Sequence, residues 1–290
     1  MRTLVIHLGG IGDFLLACPT LSALRASGPV ELLGNHERLQ TAVDGGLADA
    51  AHDAGACELD TLFSTPSPRL REFLEGFDRC VAWLRPDEAM LDAMRGCGIE
   101  EVRAYPGLPP ADWTRHASAY YADCLNLKEP GLPRLAFQHG SGTPPGSCGG
   151  CPTFEAPPTV VIHPGSGGRQ KNWPLENFRA IADELERRGR RVVWCTGPAE
   201  EHLPQLRPSL APMSLSNLGR TLARARLYIG NDSGITHLAA AAGCPTLAIF
   251  GPTNPAVWAP KGGNVCVIRG KQGFPTAQEG LSRILYFAIG

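Results

Sequence analysis

Three short stretches carry side chains whose types and spacing could do chemistry. In the first, Asp13 directly follows the glycine-rich turn Gly9-Gly10-Ile11-Gly12 at the start of a helical segment. A carboxylate there is stabilised by the helix N-terminus, while the glycines let a substrate approach the backbone; helix capping would use the same residue in the same place. In the second, His163-Pro164-Gly165-Ser166-Gly167-Gly168 leads into Lys171. Small residues between a strand and a helix permit close approach of a phosphate, and Lys171 can set a compact positive charge on it. The bland alternative is a glycine loop followed by a solvated lysine, with His163 a structural histidine at a strand end. In the third, Asn231-Asp232-Ser233-Gly234 precedes a small-residue helix bearing His237. Unpaired N–H groups at such a helix start favour an anion, although Asp232 and Ser233 could cap the helix and no more. Taken together, the second and third stretches describe a nucleotide diphosphate site at the carboxyl ends of parallel strands.

The elements that must position these residues follow from periodicity. Residues 4–8, 30–33, 79–84 and 100–104 form short apolar runs that predict strands, with helices over 86–96 and 111–127. The first helix carries Leu15, Leu16, Leu21 and Leu24 on its apolar positions and is interrupted by Pro19. The region 44–68 has no clear period. Further on, strands are predicted over 160–163, 191–195, 227–229, 246–250 and 265–268. Helices are predicted over 174–188, from Glu200, over 235–242 and over 277–288. This alternation predicts an α/β protein of two Rossmann-like domains with parallel sheets and helices on both faces.

Two domains also suit a chain of 290 residues. Residues 138–158, dense in Gly, Pro and Ser and without a helical or alternating period, read as a linker, which divides the chain into 1–150 and 151–290. With 27 Lys+Arg against 28 Asp+Glu, the net charge of −1 offers no bulk field for nucleic acid or an anionic membrane. The N-terminus lacks the apolar core and cleavage site of a secretory signal, and no apolar run has spanning length. The expected location is the cytoplasm. Ten cysteines scattered through the predicted elements then read as reduced, mostly core thiols. The Cys148-x-x-Cys151 pair lacks two further ligands at zinc-site spacing and reads as two incidental thiols.

Neither common nucleotide loop is present. The first turn has Leu15 where a dinucleotide fingerprint needs its third glycine, and the middle loop lacks the order of a Walker motif. The three stretches instead resemble, in sequence and in order, the glycosyltransferase family 9 heptosyltransferases of lipopolysaccharide synthesis. GGIGDFLLACPTL, HPGSGGRQKNWP and GNDSGITHLAAAAGCPTLAIFGPTNP carry the resemblance, whereas residues 35–155 match only in architecture.

The resemblance implies a glycosyltransferase B fold with two facing Rossmann-like domains, acceptor mainly on the first and nucleotide sugar mainly on the second, and a last helix crossing back to the first. It implies that Asp13 is the general base and that Lys171 binds the diphosphate. Ser166 and Gly167 would form the adjoining phosphate loop, Gly12 would take part in donor binding, Asp232, Ser233, Gly234 and His237 would match the donor-binding turn and helix, and Glu200 or Glu201 would meet the nucleotide ribose. The implied reaction is inverting transfer of a heptose from an ADP-linked donor to a lipopolysaccharide core or related glycan. It needs no cofactor and no metal, because Lys171 and backbone N–H groups would stabilise the leaving diphosphate. The expected partners are a nucleotide sugar and a glycolipid or glycan acceptor, with no nucleic acid and at most peripheral contact with the inner membrane. A nucleotide-sugar 2-epimerase of the same fold, or a non-catalytic nucleotide-sugar binder, would be the alternatives. Family members often carry Lys or Arg where this chain has His7, so a partly charged imidazole is expected beside the first turn.

Overall fold

Runs of four or five residues, most of them apolar, become the strands of two parallel sheets. The computed structural model of the protein describes residues 1–128, 131–137, 159–197, 200–201 and 203–289. The chain forms two compact units, Met1–Ala136 and Phe137–Gly290. The expected linker, with Cys148, Cys151 and the 150/151 boundary, lies outside the described residues.

In the first unit the strands are β1 (Thr3–His7), β2 (Val30–Gly34), β3 (Ala50–Asp53), β4 (Arg79–Trp83) and β5 (Glu101–Ala104). The helices are α1 (Ile11–Arg25), α2 (His36–Asp44), α3 (Pro68–Leu74), α4 (Glu88–Gly96) and α5 (Ala117–Cys124). All strand pairs are parallel, in the order β3-β2-β1-β4-β5. Every residue of β1 and β2 is buried, which is why both read as near-continuous apolar runs rather than as alternation. Leu4, Ile6, Leu33, Cys80 and Ala82 pack on one face of the sheet against Leu70, Leu74, Met90 and Met94 of α3 and α4.

Several elements of this unit depart from the sequence expectation. Helix α1 runs unbroken through Pro19. Residues Phe14 through Leu21 are all buried, and that packing outweighs the single backbone bond that proline forfeits. The helix expected over 111–127 shortens to α5. His116 caps it, accepting at Nδ1 from the Ser118 N–H (3.3 Å), and Asn126 ends it at a left-handed φ of 56°. In the unassigned region lie β3 and a 3-10 turn, Leu59–Phe63; only Leu59 and Leu62 of that turn are buried, too few to leave a period in the sequence.

The second unit contains β6 (Thr159–His163), α6 (Leu175–Arg187), β7 (Arg191–Trp194), α7 (Leu215–Ala223) and β8 (Leu227–Asn231). It continues with α8 (Gly234–Ala241), β9 (Thr246–Phe250), α9 (Pro255–Trp258), β10 (Val265–Arg269) and α10 (Ala277–Ile289). The sheet is again parallel, ordered β10-β9-β8-β6-β7. The short helix expected from Glu200 adjoins Pro198, Ala199 and His202, which lie outside the described residues. Phe178, Ile181 and Leu185 of α6 pack on Val160, Ile162, Val192 and Ile229, as the helical spacing predicted. Helix α10 lies against α6, with Gly280 so close to the Trp173 indole that a Cβ would come within 2.7 Å of it.

The two sheets are wound differently. The first has the 3-2-1-4-5 order; counted from its own first strand, the second has the 2-1-3-4-5 order. Strand order therefore reverses between β1 and β4 in one unit and between β6 and β8 in the other. Ligand sites of open parallel sheets lie outside the carboxyl ends of the strands at such points.

The eight cysteines among the described residues are all free thiols. Burial pushes the thiols of Cys80, Cys195 and Cys244 up to about 12, which keeps them protonated and inert near neutral pH.

Candidate functional site

The Asp13 turn stands at the first reversal point. Gly10 is the N-cap of α1, and Asp13, three residues on, accepts from the Gly10 N–H at Oδ2 (3.2 Å). The carboxylate thus caps the helix and remains half-exposed, so capping and chemistry are compatible. Gly9 is required sterically, because a Cβ there would sit 2.8 Å from Cε1 of His7 and 3.4 Å from Cβ of Asp13. Arg38 donates from Nη1 to the Gly9 carbonyl (3.1 Å) and steadies the turn. Gly12 lies in the same first turn of α1.

His7 differs from expectation. It is 2 % exposed, edge-on to Phe14, and neither ring nitrogen has a hydrogen-bond partner among the described residues. Burial, with the Arg38 charge adding to it, lowers its pKa from 6.5 to about 4. It is therefore a neutral imidazole at pH 7 and not a partly charged contact. Between pH 4 and 6.5 the unfolded chain binds a proton here that the folded chain does not, so stability rises with pH across that window. Acid-induced loss of stability over this range is expected to shrink in His7→Phe, as read from thermal unfolding at stepped pH; an unchanged pH slope would contradict the assignment.

The second site candidate assembles at the β6/β8 reversal. Lys171, in a 3-10 turn after β6, places Nζ 3.0 Å from Oδ2 of Asp232, which follows β8. The same Oδ2 accepts from the Thr253 hydroxyl (2.8 Å). Ser233 is the N-cap of α8 and accepts from the Thr236 N–H (3.3 Å), so Gly234 opens the helix with its N–H groups beside Asp232 and Lys171. His237, one turn on, is buried in α8. The sequence-predicted Lys171, Asp232, Ser233 and Gly234 are therefore brought together, and His237 lies three residues further along α8.

The glycine loop is shaped from within. Ser166 turns its hydroxyl inward, sharing one proton between the Asn172 Oδ1 (2.6 Å) and the Gly168 carbonyl (2.8 Å). Glu200 is 5 % exposed, accepts from the Gly197 N–H at Oε2 (2.7 Å) and lies 3.7 Å from Nε2 of His163. Its carboxylate occupies the space of a Gly165 Cβ, which would meet Oε1 at 1.7 Å. Glu201 is exposed. Of the two acidic residues expected near a ribose, one is thus packed under the glycine loop and the other faces solvent. A contrast within the loop follows: Gly165→Ala must displace a buried carboxylate and is expected to lower the melting temperature, whereas Gly167→Ala meets nothing within 4 Å and should not. Equal melting temperatures for the two variants would refute this packing.

Two residues outside the predicted set hold the site. Asn231, wholly buried at the end of β8, donates from Nδ2 to the Pro164 carbonyl (2.7 Å) and accepts at Oδ1 from the Trp173 N–H (3.0 Å). It clasps both ends of the glycine loop to the start of α8. Thr253 fixes the Asp232 carboxylate. The signal for Asn231 was its place before Asp232-Ser233, which reads as capping; Thr253 gave none beyond the Gly-Pro-Thr turn.

In doubly wound α/β units, a cation and a helix N-terminus at the reversal point form the kind of place where anions and nucleotides bind. Residues 144–281 match the family described as glycosyltransferase family 9 (heptosyltransferase). Lipopolysaccharide heptosyltransferase 1 of Pseudomonas aeruginosa is 36% identical over 108 residues, 34% of this chain and 30% of that protein. Lipopolysaccharide heptosyltransferase 3 of Escherichia coli is 31% identical over 118 residues, 37% of this chain and 35% of that protein. The chain thus aligns with about a third of the length of these curated relatives. In fold the agreement spans the whole chain. The structure of E. coli ADP-heptose lps heptosyltransferase II superposes with a TM-score of 0.77 at 18% identity, covering 100% of this chain and 99% of that one. E. coli heptosyltransferase WaaC with ADP gives 0.73 at 20%, covering 99% and 100%. The chain has the α/β fold of the glycosyltransferase B heptosyltransferases, and residues 144–281 are similar to glycosyltransferase family 9.

Proposed function

We propose that the protein is an inverting, metal-independent glycosyltransferase that moves a heptose from ADP-heptose to a lipopolysaccharide core or related glycan. The observation that carries this reading is the convergence of Lys171 with Asp232, Ser233 and the start of α8 at one reversal point of the second sheet. That arrangement supplies what a leaving nucleoside diphosphate requires: a mobile point charge and fixed backbone donors, with no divalent ion needed to neutralise growing negative charge. Asp13 supplies the other requirement, a carboxylate that takes the proton from the acceptor hydroxyl as that oxygen attacks the anomeric carbon opposite the leaving group. The matches to lipopolysaccharide heptosyltransferases support the choice of sugar and acceptor. Among the described residues no helix is long and apolar enough to cross a membrane. A glycolipid acceptor would be met by peripheral contact at the inner face of the cytoplasmic membrane.

The test is a panel of nucleotide sugars scored by thermal shift and then by product release. ADP-heptose at a hundred times its dissociation constant is expected to stabilise the fold by about 2.7 kcal/mol, and to release ADP once acceptor glycan is added. A panel in which uridine- or guanosine-linked sugars stabilise and ADP-heptose does not would sink the donor assignment.

A further inference from the structure

Asp232 is 5 % exposed, and one of its oxygens, Oδ2, carries two donors. One is the Lys171 ammonium at 3.0 Å, on a side chain that keeps about a third of its surface in solvent. The other is the Thr253 hydroxyl at 2.8 Å, on a half-buried residue of the turn that follows β9. These donors are not equivalent. Lys171 sits at the end of a long, partly solvated chain and can turn to a phosphate. Thr253 cannot leave: Gly251 is packed against the Phe274 ring, where a Cβ would fall 2.4 Å from it, and Asn254 caps α9 on the other side, accepting from the Ala256 N–H (3.1 Å). Asp232 itself is tied to the neighbouring strand through its N–H, donated to the Ile249 carbonyl (3.0 Å).

A buried carboxylate stripped of its cation is costly, and the cost falls if a hydrogen bond remains. The diphosphate assigned to this site under the proposed function would draw Lys171 away from Asp232. We propose that Thr253 is a positioning residue of the anion site, its hydroxyl holding the Asp232 carboxylate so that Lys171 can be released to a diphosphate. Without that hydroxyl, Lys171 would be the sole donor to Oδ2 of Asp232 among the bonds described here and would be held there more tightly. The residue would act on diphosphate affinity through Asp232, without touching the ligand.

Calorimetric titration of the full chain with ADP, and separately with inorganic pyrophosphate, tests this. Thr253→Val, which keeps the shape and removes the donor, is expected to weaken both by about tenfold, while Thr253→Ser stays within about threefold of the parent. In an Asp232→Asn background the further change Thr253→Val should alter affinity by less than about threefold, because the group it acts through is gone. Melting temperatures recorded in parallel separate this from a folding defect. Parent-like affinity in Thr253→Val, or the same tenfold fall in the Asp232→Asn background, overturns the role of Thr253 alone. A parent chain that binds neither ADP nor pyrophosphate overturns the diphosphate site and the role of Thr253 together.

Discussion

Asp13→Asn is expected to lower turnover by about 10²- to 10⁴-fold, the range lost when a positioned general base is removed, with ADP affinity unchanged. The choice of Asn matters because Asp13 also caps α1 by accepting from the Gly10 N–H. An amide oxygen can accept that same bond, so the variant keeps the helix start while losing the group that takes a proton. Asp13→Ala removes both, and would lower stability as well as rate. Single-turnover measurements at saturating donor, set beside ADP titration, separate the effects. Parent-like turnover in Asp13→Asn would reduce this residue to a cap and remove the first unit's contribution to the chemistry.

Lys171→Ala is expected to weaken ADP binding by about a hundredfold, the upper range for a charge-assisted hydrogen bond. Two causes act in the same direction: the cation is lost, and the Asp232 carboxylate beside it is no longer neutralised. The variant should also melt lower, since a nearly buried carboxylate keeps only its Thr253 donor at Oδ2. The double variant Lys171→Ala with Asp232→Asn is expected to recover the melting temperature without recovering the full affinity. Recovery of both would mean that Lys171 serves only to neutralise Asp232.

Much of the fold could be read from local pattern, and the exceptions are instructive. The strand run of residues 246–250 and the helix over 174–188 were legible because apolar residues recur at spacings that one element alone must satisfy. Ser233 was legible as a cap because capping is settled within three residues of the chain. Pro19 misled because its penalty is local, whereas the burial of Phe14 through Leu21 that overrides it comes from the sheet and neighbouring helices. Helix α5 is shorter than its pattern suggests because His116 sets its start through its own ring, a contact without periodicity.

The sequence by itself determined the alternation of strands and helices, the glycine turns that follow β1 and β6, and the helix start after Asp232. Each depends on residues a few positions apart, whose backbone preferences and capping groups act before any long-range contact forms. Tertiary structure alone decided the rest: the differing strand orders, the neutral state of His7, the turning of Glu200 under Gly165, and the meeting of Lys171, Asp232 and Thr253 on a single carboxylate oxygen. Desolvation and convergence depend on which distant segments pack together, and no spacing along the chain encodes how much water a side chain keeps.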